Sequence, residues 1–293
     1  MKHIDKSPIK NTPLKPLLTC VDHTVSRETF SIFIDEKAEL LVTTPRPHNA
    51  DLGKYYESED YISHSNTNNS LFNKVYLIVR NYAIKKKIKL LKSFHPKGKD
   101  LLDIGTGTGD FLAACKNNGW AIHGVEPNIK ANKIAEGKTG IKINGDINEI
   151  LNKKFDLITM WHVLEHVPDL NFYISNLKTL LKANGTLVIA VPNYKSFDAL
   201  YYKENWAAYD VPRHLWHFSQ KAMKSLFKQK GMKVINVLPM KFDAFYVSLL
   251  SEKYQTGRLN LLKAFYIGLK SNYKAKSTGE FSSLIYVIKK AEN

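Results

Sequence analysis

The fold is decided by Leu101-Leu102-Asp103-Ile104-Gly105-Thr106-Gly107-Thr108-Gly109-Asp110-Phe111-Leu112. A mostly apolar run with one acid in it enters three glycines at alternate positions, and Ala113-Ala114-Cys115-Lys116 continues beyond Leu112. That order reads as a buried strand, a tight turn and the opening of a helix. Glycines let the backbone bend sharply there and let a ligand lie against main chain that a side chain would cover. Their spacing decides what kind of turn it is. A dinucleotide fingerprint places glycine at the first, third and sixth positions. Here the sixth position is Asp110, and the third glycine stands one residue earlier.

Outward from this stretch, strands and helices alternate, the pattern of a parallel sheet covered on both faces. Downstream the reading places a helix over 111–118 closed by Gly119, strands over 120–126 and 141–147, and a strand from Phe155. A helix over 172–182, a turn at Asn184-Gly185 and a strand over 186–193 follow. Ser219 caps a helix that ends near Gly231, a sixth strand covers 232–238, and a last one covers 281–289. Two stretches between those strands, around 245–254 and 259–270, read as amphipathic helices with lysines opposite a wide apolar face, packed on the core as a lid. Upstream, 28–34 and 39–44 read as two short strands of a hairpin. Residues 71–91 carry apolar side chains at near-helical spacing, and the basic end from Lys85 to Lys92 reads as a solvated last turn that complements the helix dipole, with a phosphate-binding patch as the secondary reading. The expected organisation is a cap over 1–65 and a domain over 66–293, with its core at 99–240, a helical lid at about 243–280 and the last strand at 281–289.

With 293 residues and 44% apolar content the chain can bury a full core. It shows no apolar run of about 18 residues that would span a membrane, and no apolar stretch of a secretory signal at its start. Cys20 and Cys115 make neither a disulfide framework nor a complete metal site, so a reducing cytoplasm is the expected compartment. The net charge of +16 leaves nucleic acid, a phospholipid surface or a phosphorylated substrate open as partners. A basic protein with no such partner accounts for the charge as well.

The glycine turn, with Asp103 two residues before its first glycine, resembles the first motif of class I methyltransferases that use S-adenosylmethionine (SAM). More follows in the expected order. Glu126 lies 17 positions after Gly109, and a carboxylate there offers two acceptor oxygens to a vicinal diol. Trp161-His162-Val163-Leu164-Glu165-His166-Val167-Pro168-Asp169 resembles the fourth strand and loop of the ubiquinone-biosynthesis-like group of small-molecule methyltransferases, and Thr186 to Asn193 its fifth strand. The resemblance covers about 99–290. It implies a Rossmann-like doubly wound α/β sheet of seven strands with the last antiparallel, and SAM as methyl donor. Carried over residue by residue, it assigns Asp103, Gly105, Thr106, Gly107, Gly109, Glu126 and Pro127 to the cofactor's amino-acid end and ribose. Asp146 and Ile147 go to adenine, and Trp161 and His162 to the methionine end. For Asp146 a helix N-cap explains the residue equally well. The aromatic segment before the domain would fold over the cofactor and place Tyr61 and His64 near it. Related enzymes often begin with a zinc-ribbon-like module bearing paired cysteines; here Cys20 stands alone, and with Asp22 and His23 it does not complete tetrahedral zinc. The cap is read as metal-free.

Acceptor selection is expected beyond Pro192. Asp210-Val211-Pro212-Arg213-His214 resembles the segment that closes over the active site in this group. His214 is the expected general base and His162 the second catalytic candidate, with His166, Trp206, Tyr209 and Arg213 around the acceptor. Aromatics with an arginine and histidines suit a flat or anionic molecule. The function implied is methyl transfer from SAM to an O, N or C atom of a small-molecule or lipid-like acceptor. An RNA methyltransferase and a non-catalytic SAM-binding protein are the alternatives. Peripheral contact with a membrane surface through the lid helices stays open on composition.

Overall fold

Residues that follow one another along each central strand are apolar on both sides, and such strands must be covered on both faces. Leu101, Leu157, Val188, Ala190 and Ile285 join one buried cluster, while Leu102, Ile104, Ile158, Met160, Leu187 and Ile189 join another on the opposite face. The computed structural model describes residues 1–56, 71–94 and 98–291, with Asn49 and residues 71–77 described by their backbone only.

In chain order the elements are β1 (Lys15–Val21), β2 (Thr29–Asp35), β3 (Leu40–Thr43), α1 (Leu71–Ser93), β4 (Asp100–Ile104), α2 (Asp110–Asn117), β5 (Ala121–Val125) and α3 (Ile129–Thr139). Then come β6 (Phe155–Trp161), α4 (Leu170–Leu180), β7 (Leu181–Pro192), α5 (Phe197–Tyr202), β8 (Trp216–His217) and α6 (Gln220–Lys228). The chain closes with β9 (Met232–Pro239), α7 (Asp243–Thr256), α8 (Leu261–Thr278) and β10 (Ser283–Lys290). The central sheet has six strands in the order β5-β4-β6-β7-β10-β9. β5, β4, β6 and β7 run parallel, and β10 is antiparallel to both of its neighbours. Side chains of α1, α2 and α3 cover one face; those of α4 and α6 cover the other.

The expected third strand, over 141–147, is reduced to one parallel bridge between Val125 and Asn144, which leaves six strands in place of seven. Two causes are local. The side-chain amide of Asn132 on α3 donates to the carbonyls of Glu126 and Ile143. Immediately after the bridge, Asp146 caps a short 3-10 helix over Ile147–Ile150, with Glu149 returning to the Asp146 amide. The chain turns away before a ladder can grow.

The expected hairpin is part of a larger unit. β1, β2, β3 and β8 form an antiparallel sheet, β8 pairing Trp216 with Val42 and His217 with Leu41. That pairing draws the segment after residue 210 onto the cap. A second buried cluster fills the space between them, with Phe30, Ile32, Leu41 and Tyr55 from the cap side meeting Tyr202, Trp206, Tyr209, Val211, Val247 and Ile267. No helix among the described residues is long and apolar enough to cross a membrane.

Candidate functional site

β4 delivers Gly105, Gly107 and Gly109 at φ of +73°, +55° and +81°, backbone states that side chains with a Cβ rarely adopt. A Cβ on Gly105 would fall 2.2 Å from Val163 Cγ2, whereas one on Gly107 would meet nothing within 4 Å. The turn is packed tight at its first glycine and open at its second, the shape of main chain on which a ligand can lie. Thr106 Oγ1 donates to the Asp103 carbonyl at 3.0 Å, and Gly109 opens α2.

Two carboxylates stand behind the turn. Glu126, buried at the exit of β5, accepts from the amides of Gly107 at 2.7 Å and Asn128 at 2.9 Å. Burial pushes its carboxyl above the ordinary value, against the pull of those two amide bonds. Pro127 follows it at the surface. Asp103 is buried and accepts from Thr159 Oγ1 at 2.6 Å. Burial raises its carboxyl well above the usual range, opposed by the Thr159 bond and by the charge of Lys87. Lys87, on α1, holds its ammonium 4.1 Å from the centroid of Trp161 and 5.6 Å from that of Phe111. Burial lowers its affinity for the proton, and Asp103 and Asp243 oppose that. An acid and a cation therefore lie close to one another beneath the strand end that carries the glycine turn. At its other side Ile147 is buried, and Asp146 Oδ1 accepts from the Asn148 amide at 2.7 Å as an N-cap.

On the far side of β6 the histidines gather. His162 has φ +57°, with Nδ1 3.4 Å from Glu165 Oε1 and Nε2 3.1 Å from Asp243 Oδ2. Burial alone would lower its pKa, but the two carboxylates outweigh it and hold the ring up at about 10. An imidazolium with a carboxylate on each nitrogen has no lone pair for an incoming proton, which corrects the expectation of His162 as a base. Glu165 is fully buried, and neither oxygen has a hydrogen-bond partner among the described residues, so its approach to His162 is an ion pair. His166 Nδ1 lies 3.0 Å from the Tyr56 hydroxyl and 3.1 Å from the Arg213 carbonyl. Burial and the nearby His214 lower it to about 4, so it is neutral at ordinary pH.

His214 is buried, its ring edge-on to His166 with centroids 4.6 Å apart. Its Nδ1 is 2.8 Å from the Ala208 carbonyl, which can only accept. The hydrogen therefore sits on Nδ1, and Nε2 lies 3.9 Å from Asp210 Oδ2. Glu165, His166 and His214 bring one ligand-type atom each within 4.8 Å of one another. A carboxylate and two imidazoles are donors that a divalent ion accepts.

The expected acceptor residues divide. His166 and His214 belong to this cluster; Arg213, Trp206 and Tyr209 do not face it freely. Arg213, whose side chain is 1% exposed, pairs with Asp22 at 2.9 Å and Asp210 at 2.7 Å and donates to the Tyr55 carbonyl at 2.9 Å. Every branch of its guanidinium is engaged in tying the cap to the 210–218 segment. Trp206 donates to Asp198 at 2.8 Å from within the second core, and Tyr209 packs edge-on against Trp206 and His217. Those three are corrected to packing and cross-linking roles. Tyr61 and His64 lie outside the described residues. Cys20, Asp22 and His23 are directed apart: Cys20 is buried, Asp22 serves Arg213, and His23 stacks on Tyr254 at 4.3 Å.

Lys87, Thr159 and Asp243 escaped the sequence reading. Lys87 had a usable signal, since it stands three residues after Ile84 and four before Leu91, on the helix's apolar side. Thr159 is one polar residue in a buried strand, and Asp243 opens a helix where a first-turn acid is ordinary; nothing local marks either.

A family model described as "Methyltransferase domain" matches residues 76–237, more than half of the chain. The ubiquinone biosynthesis O-methyltransferase of Pelagibacter ubique (strain HTCC1062) is 31% identical over 176 residues, covering 53% of this chain and 71% of that protein. The protein of the same name from Rhodopseudomonas palustris (strain HaA2) is 30% identical over 150 residues, covering 47% of this chain and 59% of its own length. Other relatives of that name are spanned over about half their length, 48% for one from Coxiella burnetii (strain RSA 493 / Nine Mile phase I). Among solved structures, phosphoethanolamine N-methyltransferase 2 of Haemonchus contortus in complex with S-adenosyl-L-methionine shares the fold at TM-score 0.50 and 17% identity, covering 71% of this chain and 53% of that one. A StiE O-methyltransferase segment does so at TM-score 0.51 and 15% identity, covering 76% and 78%.

Proposed function

The chain belongs to the methyltransferase domain family and is a SAM-dependent methyltransferase, and we propose that it methylates a hydroxyl oxygen on a small-molecule or lipid-like acceptor held against the 210–218 segment. The observation that carries this reading is His214: a buried imidazole whose Nδ1 is tied to the Ala208 carbonyl, leaving Nε2 as the nitrogen that an acceptor can meet. The names of the relatives support oxygen as the atom methylated.

In this reading Gly105, Thr106, Gly107 and Gly109 supply the main chain on which SAM lies. The open space at Gly107 is the cradle that a Cβ would fill. Glu126 takes the ribose hydroxyls and Asp103 the ammonium group, with Lys87 opposite the carboxylate of the same amino-acid end. Pro127, Asp146 and Ile147 border the adenine, and Trp161 and His162 the methionine end. SAM supplies, when bound, a methyl carbon on a sulfonium sulfur that leaves with the bonding electrons as a neutral thioether. His214 Nε2 takes the acceptor's hydroxyl proton, and Asp210 and Glu165 stabilise the resulting imidazolium. His166, neutral and with its Nδ1 hydrogen on the Arg213 carbonyl, accepts through Nε2 at the acceptor's polar edge. His162, Glu165 and Asp243 form a fixed charge set that orients the loop after β6. Residues 1–65 act as a cap and 66–293 as the catalytic domain, held together by Arg213. Two free, buried cysteines fit a reducing cytoplasm.

The test is methyl transfer from labelled SAM into a cell extract separated into lipid, RNA, protein and small-molecule fractions. Label in the lipid or small-molecule fraction, lost in His214→Gln, is expected. Label in RNA, or SAM binding with no label in any fraction, would overturn it.

A further inference from the structure

α8 shows two faces of opposite character. Ala264, Ile267, Gly268, Ser271 and Ala275 are buried. Leu261, Leu262, Phe265, Tyr266, Leu269 and Tyr273 are exposed, Leu262 to 86% and Tyr273 to 73%. At about 100° of rotation per residue, Leu262, Tyr266, Leu269 and Tyr273 share an arc of about 60° directly opposite the buried residues. Lys270 borders that strip on one side and Lys276 on the other; Lys274 is turned to Phe197, 4.4 Å away. Their ammonium groups stay close to aromatic rings, Lys270 at 5.7 Å from Tyr266 and Lys276 at 5.7 Å from Tyr273. The helix carries four lysines and no acid.

We propose that this face of α8 docks on an anionic phospholipid surface. The leucines and tyrosines enter the boundary between headgroups and acyl chains, and the flanking lysines meet lipid phosphates. Charge selects this occupant. A second copy seated on the same face would bring two sets of lysines together with no carboxylate on either helix to answer them. An anionic bilayer answers them directly, and the chain's +16 adds long-range attraction. The position also fits a surface enzyme. Phe265 stacks on Phe245 of α7 at 5.3 Å, and Asp243, at the start of α7, is the partner of His162. The docking helix is one packed helix away from the histidine cluster. This inference does not depend on which acceptor is methylated.

The full chain is sedimented with vesicles of phosphatidylcholine alone and with vesicles that contain phosphatidylglycerol. It should pellet with the anionic vesicles, poorly with the neutral ones, and less as salt is raised. Leu262→Ser/Leu269→Ser should weaken the partition at least about tenfold through lost apolar burial. Lys270→Glu/Lys276→Glu should do so by at least about tenfold through charge. Both variants should bind SAM as the parent does, which reports an intact fold. Leu262→Gln alone, at a side chain that touches almost nothing, covers the case of a double variant that fails to fold. No pelleting, equal pelleting by the variants, or indifference to vesicle charge would overturn the proposal. So would a dimer by light scattering that the Leu262 variants dissociate and that does not pellet.

Discussion

At His162 two carboxylates decide what one imidazole can do. Its folded pKa of about 10 lies above the ordinary 6.5, so its pairing with Glu165 and Asp243 stabilises the fold fully below 6.5 and is lost as pH rises through about 10. The thermal midpoint of the parent should therefore fall between those values more steeply than that of His162→Gln; equal slopes would remove the imidazolium. His214 differs in its partners, with Nδ1 tied to the Ala208 carbonyl and no carboxylate within hydrogen-bond distance of Nε2. His214→Gln should lower turnover by about a hundredfold or more while SAM affinity stays nearly constant. A loss confined to SAM binding would reassign it. For Glu126, which accepts from the Gly107 amide of the glycine turn and from the Asn128 amide, Glu126→Ala should weaken SAM binding at least about tenfold in a calorimetric titration. Unchanged affinity would sink the ribose assignment.

Among the elements, the segment from Trp206 to His217 behaves unlike its sequence. A run of aromatics with an arginine reads as an acceptor pocket, yet Trp206, Tyr209 and Arg213 are buried against the cap. Arg213 answers Asp22 from a turn almost two hundred residues away. Arg213→Met would leave that carboxylate buried without its cation and should cost about 3–5 kcal/mol in urea unfolding. The acceptor KM of the folded variant should stay unchanged; a rise in KM with normal stability would return Arg213 to the acceptor. The strands show the same division. β4, β6 and β7 are legible because each is a local apolar run. β8 is two residues long and exists through its pairing with β3, and β1 is exposed along most of its length, with Pro16 inside it and Cys20 its one buried residue.

For the molecule as a whole, the glycine turn, Glu126 and Asp103 form one site with the sheet edge, so SAM binding and global stability are linked. SAM at a hundred times its dissociation constant should add about 2.7 kcal/mol to the unfolding free energy. Differential scanning fluorimetry should show the shift for the parent and little or none for Glu126→Ala at the same concentration. A shift of equal size in both would separate the ligand from this crevice.

The amino-acid order by itself determined the strand–turn–helix around Gly105 to Gly109, the alternation beyond it, and the acid at Glu126. Each is local chemistry: apolar periodicity, glycine's access to positive φ, and a carboxylate at a strand's end. Tertiary structure decided which polar side chains face the crevice. Lys87 is drawn out of a basic run to Trp161, Asp243 reaches His162 from across the sheet edge, and Arg213 is turned inward by Asp22 and Tyr55. Their partners lie from about seventy to almost two hundred residues away, so the pairings exist only once the cap, the sheet and the lid are packed together.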